Sequence, residues 1–377
     1  MRGPEDSGWA EVETPTSFLV SQPTTILNRR VLGVDAPQPY KKMRKVIFLM
    51  AAFCLNCGVV KSQVSDAVIA TLQHGDSLQT FDGYYALSNA FNAAESGDVI
   101  TLTSGVFYGG IDITKSVTII GAGFESDEEE NLVPTVLENN FDIYSSGSGT
   151  SIEGVWFDDR LTLGASVSET VSNVNLIKVR GPIYLYSNTS YVSIRQSVST
   201  DFCIYNRDHA NLCFVGSHIN INNSYHLTGA NSIYLDHCIL PDPIRGTATY
   251  TNCIIGSNFS SYGGSVLSSC ILFGDDVAGD LEKFYITGTN IYYNLSYTDV
   301  FEEEISDLSW DDVKTFKLKS SSNYASTDDT EIGIYGGEYS YNPTPTVPQI
   351  TDFTLDDSDI ANGTLKVSVT AEAQTEY

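Results

Sequence analysis

Apolar residues along positions 150–275 fall in short triplets with a polar middle residue, and the triplets return at a spacing that can be aligned. Val174-Asn-Leu176, Val192-Ser-Ile194, Leu212-Cys-Phe214 and Ile233-Tyr-Leu235 make one column at steps of 18, 20 and 21 residues. A second column, Ile183-Tyr-Leu185-Tyr186, Phe202-Cys-Ile204-Tyr205 and Ile219-Asn-Ile221-Asn222, repeats at steps of 19 and 17. Side chains alternate across a strand, so the outer members of each triplet share one buried face. One such coil cannot bury its apolar residues alone. Stacked coils bury them as a continuous column and pair each backbone group with a neighbour about 4.8 Å away. An antiparallel sandwich, with turns every 8 to 12 residues or so, does not produce columns at this longer period. The pattern predicts an all-β chain folded as a single-stranded parallel β-helix, with coils from about Val99 to Phe273.

The flanks follow other rules. Tyr85, Leu87, Ala90, Phe91 and Ala94 recur at helical spacing, which predicts a short capping helix over 82–97 with Asp82 as N-cap and Gly97 as its stop. Ile100, Leu102, Ile111, Ile113, Val117 and Ile119 then alternate in the period of a strand. Downstream, 277–337 loosens into aromatic and acidic stretches expected to close the lower end of the coils. Residues 341–348 hold the stiff, Pro-rich PTPTVP, and 349–377 carry two strand patterns, read as C-terminal strands or the stub of a further domain. Near the other terminus, four basic residues precede an apolar run from Val46 to Val60, the layout of a signal peptide over 43–62. About 15 apolar residues fall short of the roughly 20 needed to cross a bilayer, so no transmembrane segment is expected in the exported chain, 64–340 being the solenoid. Residues 1–42, aperiodic and Pro-rich, are read as a disordered upstream extension from a start codon placed too early.

Composition narrows the partners. The chain has 377 residues with 20 basic and 47 acidic side chains, a net charge of −27, and 42% hydrophobic residues. This apolar content supports a packed core. The negative charge repels phosphate backbones, so no nucleic-acid partner is expected. Of 7 cysteines, Cys203, Cys213, Cys238, Cys253 and Cys270 lie beyond the signal segment, an odd number that cannot form a complete disulfide set. Cys238, Cys253 and Cys270 fall at similar places after their strands and are read as small buried residues in a stack.

ALSNAFNAAESGDVITLTSGVF followed by ITKSVTIIGAG resembles the N-terminal cap and first coils of secreted bacterial proteins of the pectate-lyase-like superfamily. FKLKSSSNYASTDDTEIGIYGG is similar to the closing segment of the same group. The resemblance spans about 80–340 and implies a right-handed parallel β-helix. It leaves the chemistry open, because the superfamily holds lyases, hydrolases, epimerases and adhesins.

A lyase of this kind uses a base beside acidic residues that bind Ca²⁺. The nearest match is Ile233-Tyr-Leu-Asp236-His237-Cys238, and Arg195 shares the offset of Asp236 two coils away, with Val215 between. The Arg-x-Pro-x-x-Arg motif that should accompany it is missing, which leaves Arg195, Asp236 and His237 as catalytic candidates of the alternative reading only; Arg195 and Asp236, about 10 Å apart, are not a direct pair and are read as a solvated face. Hydrolase carboxylate pairs need separations of about 6.5 to 9.5 Å and companion motifs that are also missing. His209, His218, His226 and His237 have no zinc spacing, and the acidic runs lack the glycine of a calcium loop. What remains is a row of aromatic and amide groups: Tyr186, Tyr205 and Asn222 on one outward column, Tyr184 and Asn220 on the next. Flat rings and amides at coil spacing suit a sugar chain. The expectation is therefore an exported surface or secreted glycan-binding, adhesin-like protein without its own catalysis. The alternative is a polysaccharide lyase or hydrolase acting on an acidic glycan such as pectin, with Ca²⁺ bridging the charges.

Overall fold

The computed structural model describes residues 68–125, 133–166, 168–205, 209–224, 232–244, 246–256, 264–310 and 315–342, with the backbone alone for 222–224, 349–356 and 366–372. Residues 1–67, and with them the expected signal segment, lie outside the described residues.

The described chain is a parallel β-solenoid of about 8 turns. The first column stacks in the register expected from the sequence: Val174 against Val192, Leu212 and Ile233, and Leu176 against Ile194, Phe214 and Leu235. It continues in both directions, through Ile152, Ile119 and Ile100 on one side and Tyr250 and Leu267 on the other. All are buried, each aliphatic side chain contributing about 1.5–3 kcal/mol by leaving water.

Corners are made by left-handed residues. From the coil of Ile152 onward, one residue just beyond the inward-facing positions of this sheet takes φ between 50° and 64°: Gly154, Lys178, Gln196, Gly216, His237, Asn252, Ser269 and then Asn290. A single αL residue turns the chain into the next sheet while its amide keeps a bond to the following coil, as in Gln196 N–H to Val215 O and His237 N–H to Thr251 O, both 3.0 Å. Each non-glycine corner costs about 1–2 kcal/mol of backbone strain. Stacking repeats the corner because the strands on both sides are already fixed.

The second column holds for Ile183 and Leu185 against Phe202 and Ile204. It slips at its third member. Phe202 pairs with Ile221 rather than Ile219, and Cys203 with Asn223, because irregularities fall between Ser199 and Phe202 and between Phe202 and Cys203. A bulge carries an extra residue that no hydrophobic period reveals.

At the N-terminal end, the helix Ala86–Ala93 is shorter than expected. Asp82 ends an antiparallel hairpin, Ile69–His74 with Ser77–Asp82, and Tyr85 holds the N-cap without a side-chain bond. The hairpin claims the residues that the helical spacing had suggested. Ala86, Leu87, Ala90 and Phe91 cover the end of the coil, and Tyr85 is exposed. Lys115 Nζ donates to the Phe91 and Ala94 carbonyls, closing the helix C-terminus.

At the other end, the helix Val277–Lys283 packs Val277 and Leu281 against the main core, as a cap should. Residues 300–310 and 315–341, however, do not close the end. They pack along the flank and build a second core on outward-facing Ile239, Ile254 and Ile271 with Phe301, Phe316, Leu318 and Ile334. From there the chain returns along the corner ladder. Asn252 exchanges hydrogen bonds with Thr327 at 2.8 Å, His237 Nε2 meets Thr330 Oγ1 at 3.0 Å, and Gln196 Nε2 donates to the Ser340 carbonyl at 2.6 Å. Gly216 is glycine for room as well as conformation, since a Cβ there would collide with the Tyr339 carbonyl oxygen. Four consecutive corners thus hold one return segment. Beyond 342, Gln349–Asp356 and Lys366–Glu372 pair antiparallel, the two strands expected there. The linker 343–348 lies outside the described residues.

Candidate functional site

The middle residues of the first column face outward and form a floor: Asn175, Ser193, Cys213 and Tyr234, in register across four coils. Along one edge runs a second αL ladder, Asn173, Tyr191 and Asn211, with φ of 56°, 55° and 54°. Each interrupts its strand just before an inward residue. Asn tolerates this conformation because its short amide bonds locally, whereas a Tyr there is strained by about 1–3 kcal/mol. Tyr191 is nonetheless 62% exposed and Tyr234 50%, so the strain is not repaid by burial. Floor and ladder enclose a groove of about 490 Å³.

Two residues before the ladder, the strands are tied by hydrogen bonds of a buried histidine. Buried His209 contacts the Tyr205 carbonyl through Nε2 at 2.8 Å and Thr189 Oγ1 through Nδ1 at 2.7 Å. A carbonyl only accepts, so Nε2 carries the proton and Nδ1 accepts from the Thr189 hydroxyl. On the floor, burial pushes the Cys213 thiol up, with Cys238 adding to the effect, so it is not an activated thiolate.

The residues expected to bind sit elsewhere. Tyr186 and Tyr205 are neighbours with ring centroids 5.0 Å apart, but they meet edge to face at 73° rather than as parallel plates. Tyr184 donates to Asp201 at 2.7 Å, and that bond, with burial, raises its hydroxyl pKa. Asn220 donates to the Thr200 carbonyl at 2.9 Å and, because of the register slip, does not continue the Tyr184 column. The Asn222 side chain lies outside the described residues. The intended row is broken after two rungs.

Arg195, Val215 and Asp236 do line up. Arg195 is half-buried rather than solvated, which corrects that expectation for it, and His237 is buried. The return segment covers them: the Arg195 guanidinium lies 5.0 Å from the centre of the Tyr339 ring, and the fully buried His237 is packed against Gly336 and Gly337. Asp236 keeps 46% of its side chain exposed, with Oδ1 2.9 Å from His237 Nδ1. On the far side of His237, burial raises the Asp328 carboxyl, but bonds from the Thr330 hydroxyl and amide, with His237 nearby, outweigh it and leave the pKa lowered.

The three stacked cysteines are buried and free, as expected. Their thiols donate to strand carbonyls, and burial pushes Cys253 well up, with Cys238 and Cys270 on either side adding to it. Among the described residues no group of three or more His, Cys, Asp or Glu is placed to hold a metal ion, and no helix is long and apolar enough to cross a membrane. The groove had a signal in the sequence: the polar middle of each triplet, which includes Tyr234.

No family model, curated protein or solved structure matches this chain.

Proposed function

We propose that this is an exported glycan-binding β-solenoid of pectate-lyase-like ancestry and that the groove beside Tyr191 is its binding site. The observation that carries the reading is Tyr191 itself. A bulky aromatic is held in a strained αL position between two asparagines and left exposed in the groove that Tyr234 also lines. Strain kept without burial marks a residue retained for contact with something else. Exposed rings flanked by amides on a rigid sheet are the chemistry of sugar recognition: ring faces stack on C–H groups and amides bond hydroxyls. The covering of Arg195 and His237 by the return segment supports binding without turnover at those residues. Export follows from the signal-like segment 43–62.

The test is retention on a glycan array by the mature chain. Tyr191→Ala and Tyr234→Ala should each abolish retention, while Tyr186→Ala with Tyr205→Ala leaves it intact. Retention that survives loss of both groove tyrosines would refute the assignment.

A further inference from the structure

We propose that the C-terminal hairpin, Gln349–Asp356 with Lys366–Glu372, docks its apolar face in cis on the outward strip Val106, Val136 and Trp156 near the N-terminal end of the solenoid. The strip is separate from the groove, and its partner does not depend on what the groove binds.

The hairpin needs a cover. Its register sets Ile350 opposite Ala371, Phe353 opposite Val369 and Leu355 opposite Val367, which places these apolar pairs on one face. Asp352 with Thr370, Thr354 with Ser368 and Asp356 with Lys366 fall on the other. Two strands rarely stand alone in water, and a wholly apolar face must be buried for them to hold. The strip offers matching surface. Val106 pairs with Val136 and Val136 with Trp156, three outward positions on neighbouring strands, and Val106 is 42% exposed. The Gly105 N–H bond to the Pro134 carbonyl brings exposed Val133 alongside. Tyr108, two positions on from Val106, stacks on exposed Tyr84 with ring centres 4.0 Å apart.

The chain delivers the hairpin to this place. The return segment meets the corners at Asn252, His237 and Gln196 in turn, passing from late coils to early ones, and Tyr341 then reaches Glu125. Arg180 is close enough to act on the Tyr341 hydroxyl, and its guanidinium lies 4.6 Å from the centre of the ring of Trp156, its partner in the ladder. Tyr341 therefore stands at the edge of the strip. Eight residue steps separate it from Gln349, and a Pro-rich chain of that length can span about 25 Å. From Arg180 through Trp156 and Val136 to Val106 is three strand spacings, about 14 Å. So short a tether holds the hairpin at an effective concentration on the order of millimolar, which favours its own strip over that of a second copy. The groove is a poorer seat, because Asn173, Asn175 and Asn211 line it and an apolar cover would leave their amides without partners.

The experiment is hydrogen–deuterium exchange of the mature chain, read by mass spectrometry. Amides of 349–356 and 366–372 should be protected, and Val106→Asp with Val136→Asp should speed their exchange about ten-fold or more while amides of the coils from 174 to 214 exchange as before. Should that pair disturb the coils, Phe353→Asp with Val369→Asp gives the converse reading, in which oxidative labelling of Trp156 rises about two-fold or more. In a Cys213→Ser background, a short bis-maleimide should join Val106→Cys to Val369→Cys within one chain. A hairpin unprotected in the parent, protection that survives the strip variant with the coils intact, or unchanged labelling of Trp156 would overturn the inference. So would a cross-link that is absent or that forms only between two chains, the latter assigning the strip to a second copy.

Discussion

The Tyr341 hydroxyl donates to Glu125 Oε1 across 2.8 Å, joining residues 216 positions apart in the chain. The bond fixes the far end of the return segment, and Phe124 lies beside the same ring at 6.4 Å between centroids. Tyr341→Phe should lower stability by about 1.5–3 kcal/mol, the net worth of a hydrogen bond to a charged group. Burial first, and Glu125 second, raise the Tyr341 hydroxyl pKa. Its stabilisation is therefore complete below about pH 10, the ordinary tyrosine value, and is lost as pH climbs through the raised one. Urea midpoints from pH 7 to 11 should fall more steeply for the parent chain than for Tyr341→Phe.

Two acids of the return segment should titrate in opposite senses. Asp328 is held below its ordinary range, so its contribution is present at neutral pH and is lost as acid takes pH through that lowered value. Burial, aided by Glu302, pushes Glu331 up, so its contribution is complete below about pH 4.3 and is lost as pH rises through the raised value. Asp328→Asn should destabilise at pH 7 and be neutral at pH 2, whereas Glu331→Gln should stabilise at pH 7 and be neutral at pH 4. Each effect should stay under about 1 kcal/mol because both groups reach solvent. Chemical denaturation at these pH values checks both signs.

The sequence showed the first column residue by residue, because in-register burial writes the same triplet in every coil. It showed less of the second, where the bulge around Thr200 and Asp201 broke the count and misplaced Asn220 and Asn222. The return segment was invisible. Asn252, His237 and Gln196 look like ordinary turn residues, and only their left-handed backbones aim them at a partner up to 144 positions away. Tyr234 was in view throughout, as the polar-position residue of a triplet. Tyr191 was not, since nothing local distinguishes an αL tyrosine from an ordinary strand tyrosine.

Tyr191→Asn should separate stability from function. Asn accepts the αL conformation, so the variant should gain about 1 kcal/mol or more while losing glycan retention. A thermal melt alongside the array measurement checks both halves. A variant that is no more stable would show that the tyrosine backbone is not strained.

Buried Cys238, Cys253 and Cys270 should be inert in the native state. With its thiol pKa pushed up by burial, Cys253 should not react with iodoacetamide at pH 8 until the chain is unfolded. Cys253→Ala should cost about 1–2 kcal/mol through lost packing and two lost carbonyl contacts. Mass spectrometry of labelled native and urea-unfolded chain distinguishes the two states.

A stack of like layers ordinarily melts from whichever end is looser, one layer at a time, and can begin forming anywhere. Here a single late stretch of polypeptide is stitched to four corners and then to Glu125, so no layer between them can peel away alone. Denaturation of that span should be all-or-none, and folding of its layers cannot be complete until the return segment has joined them.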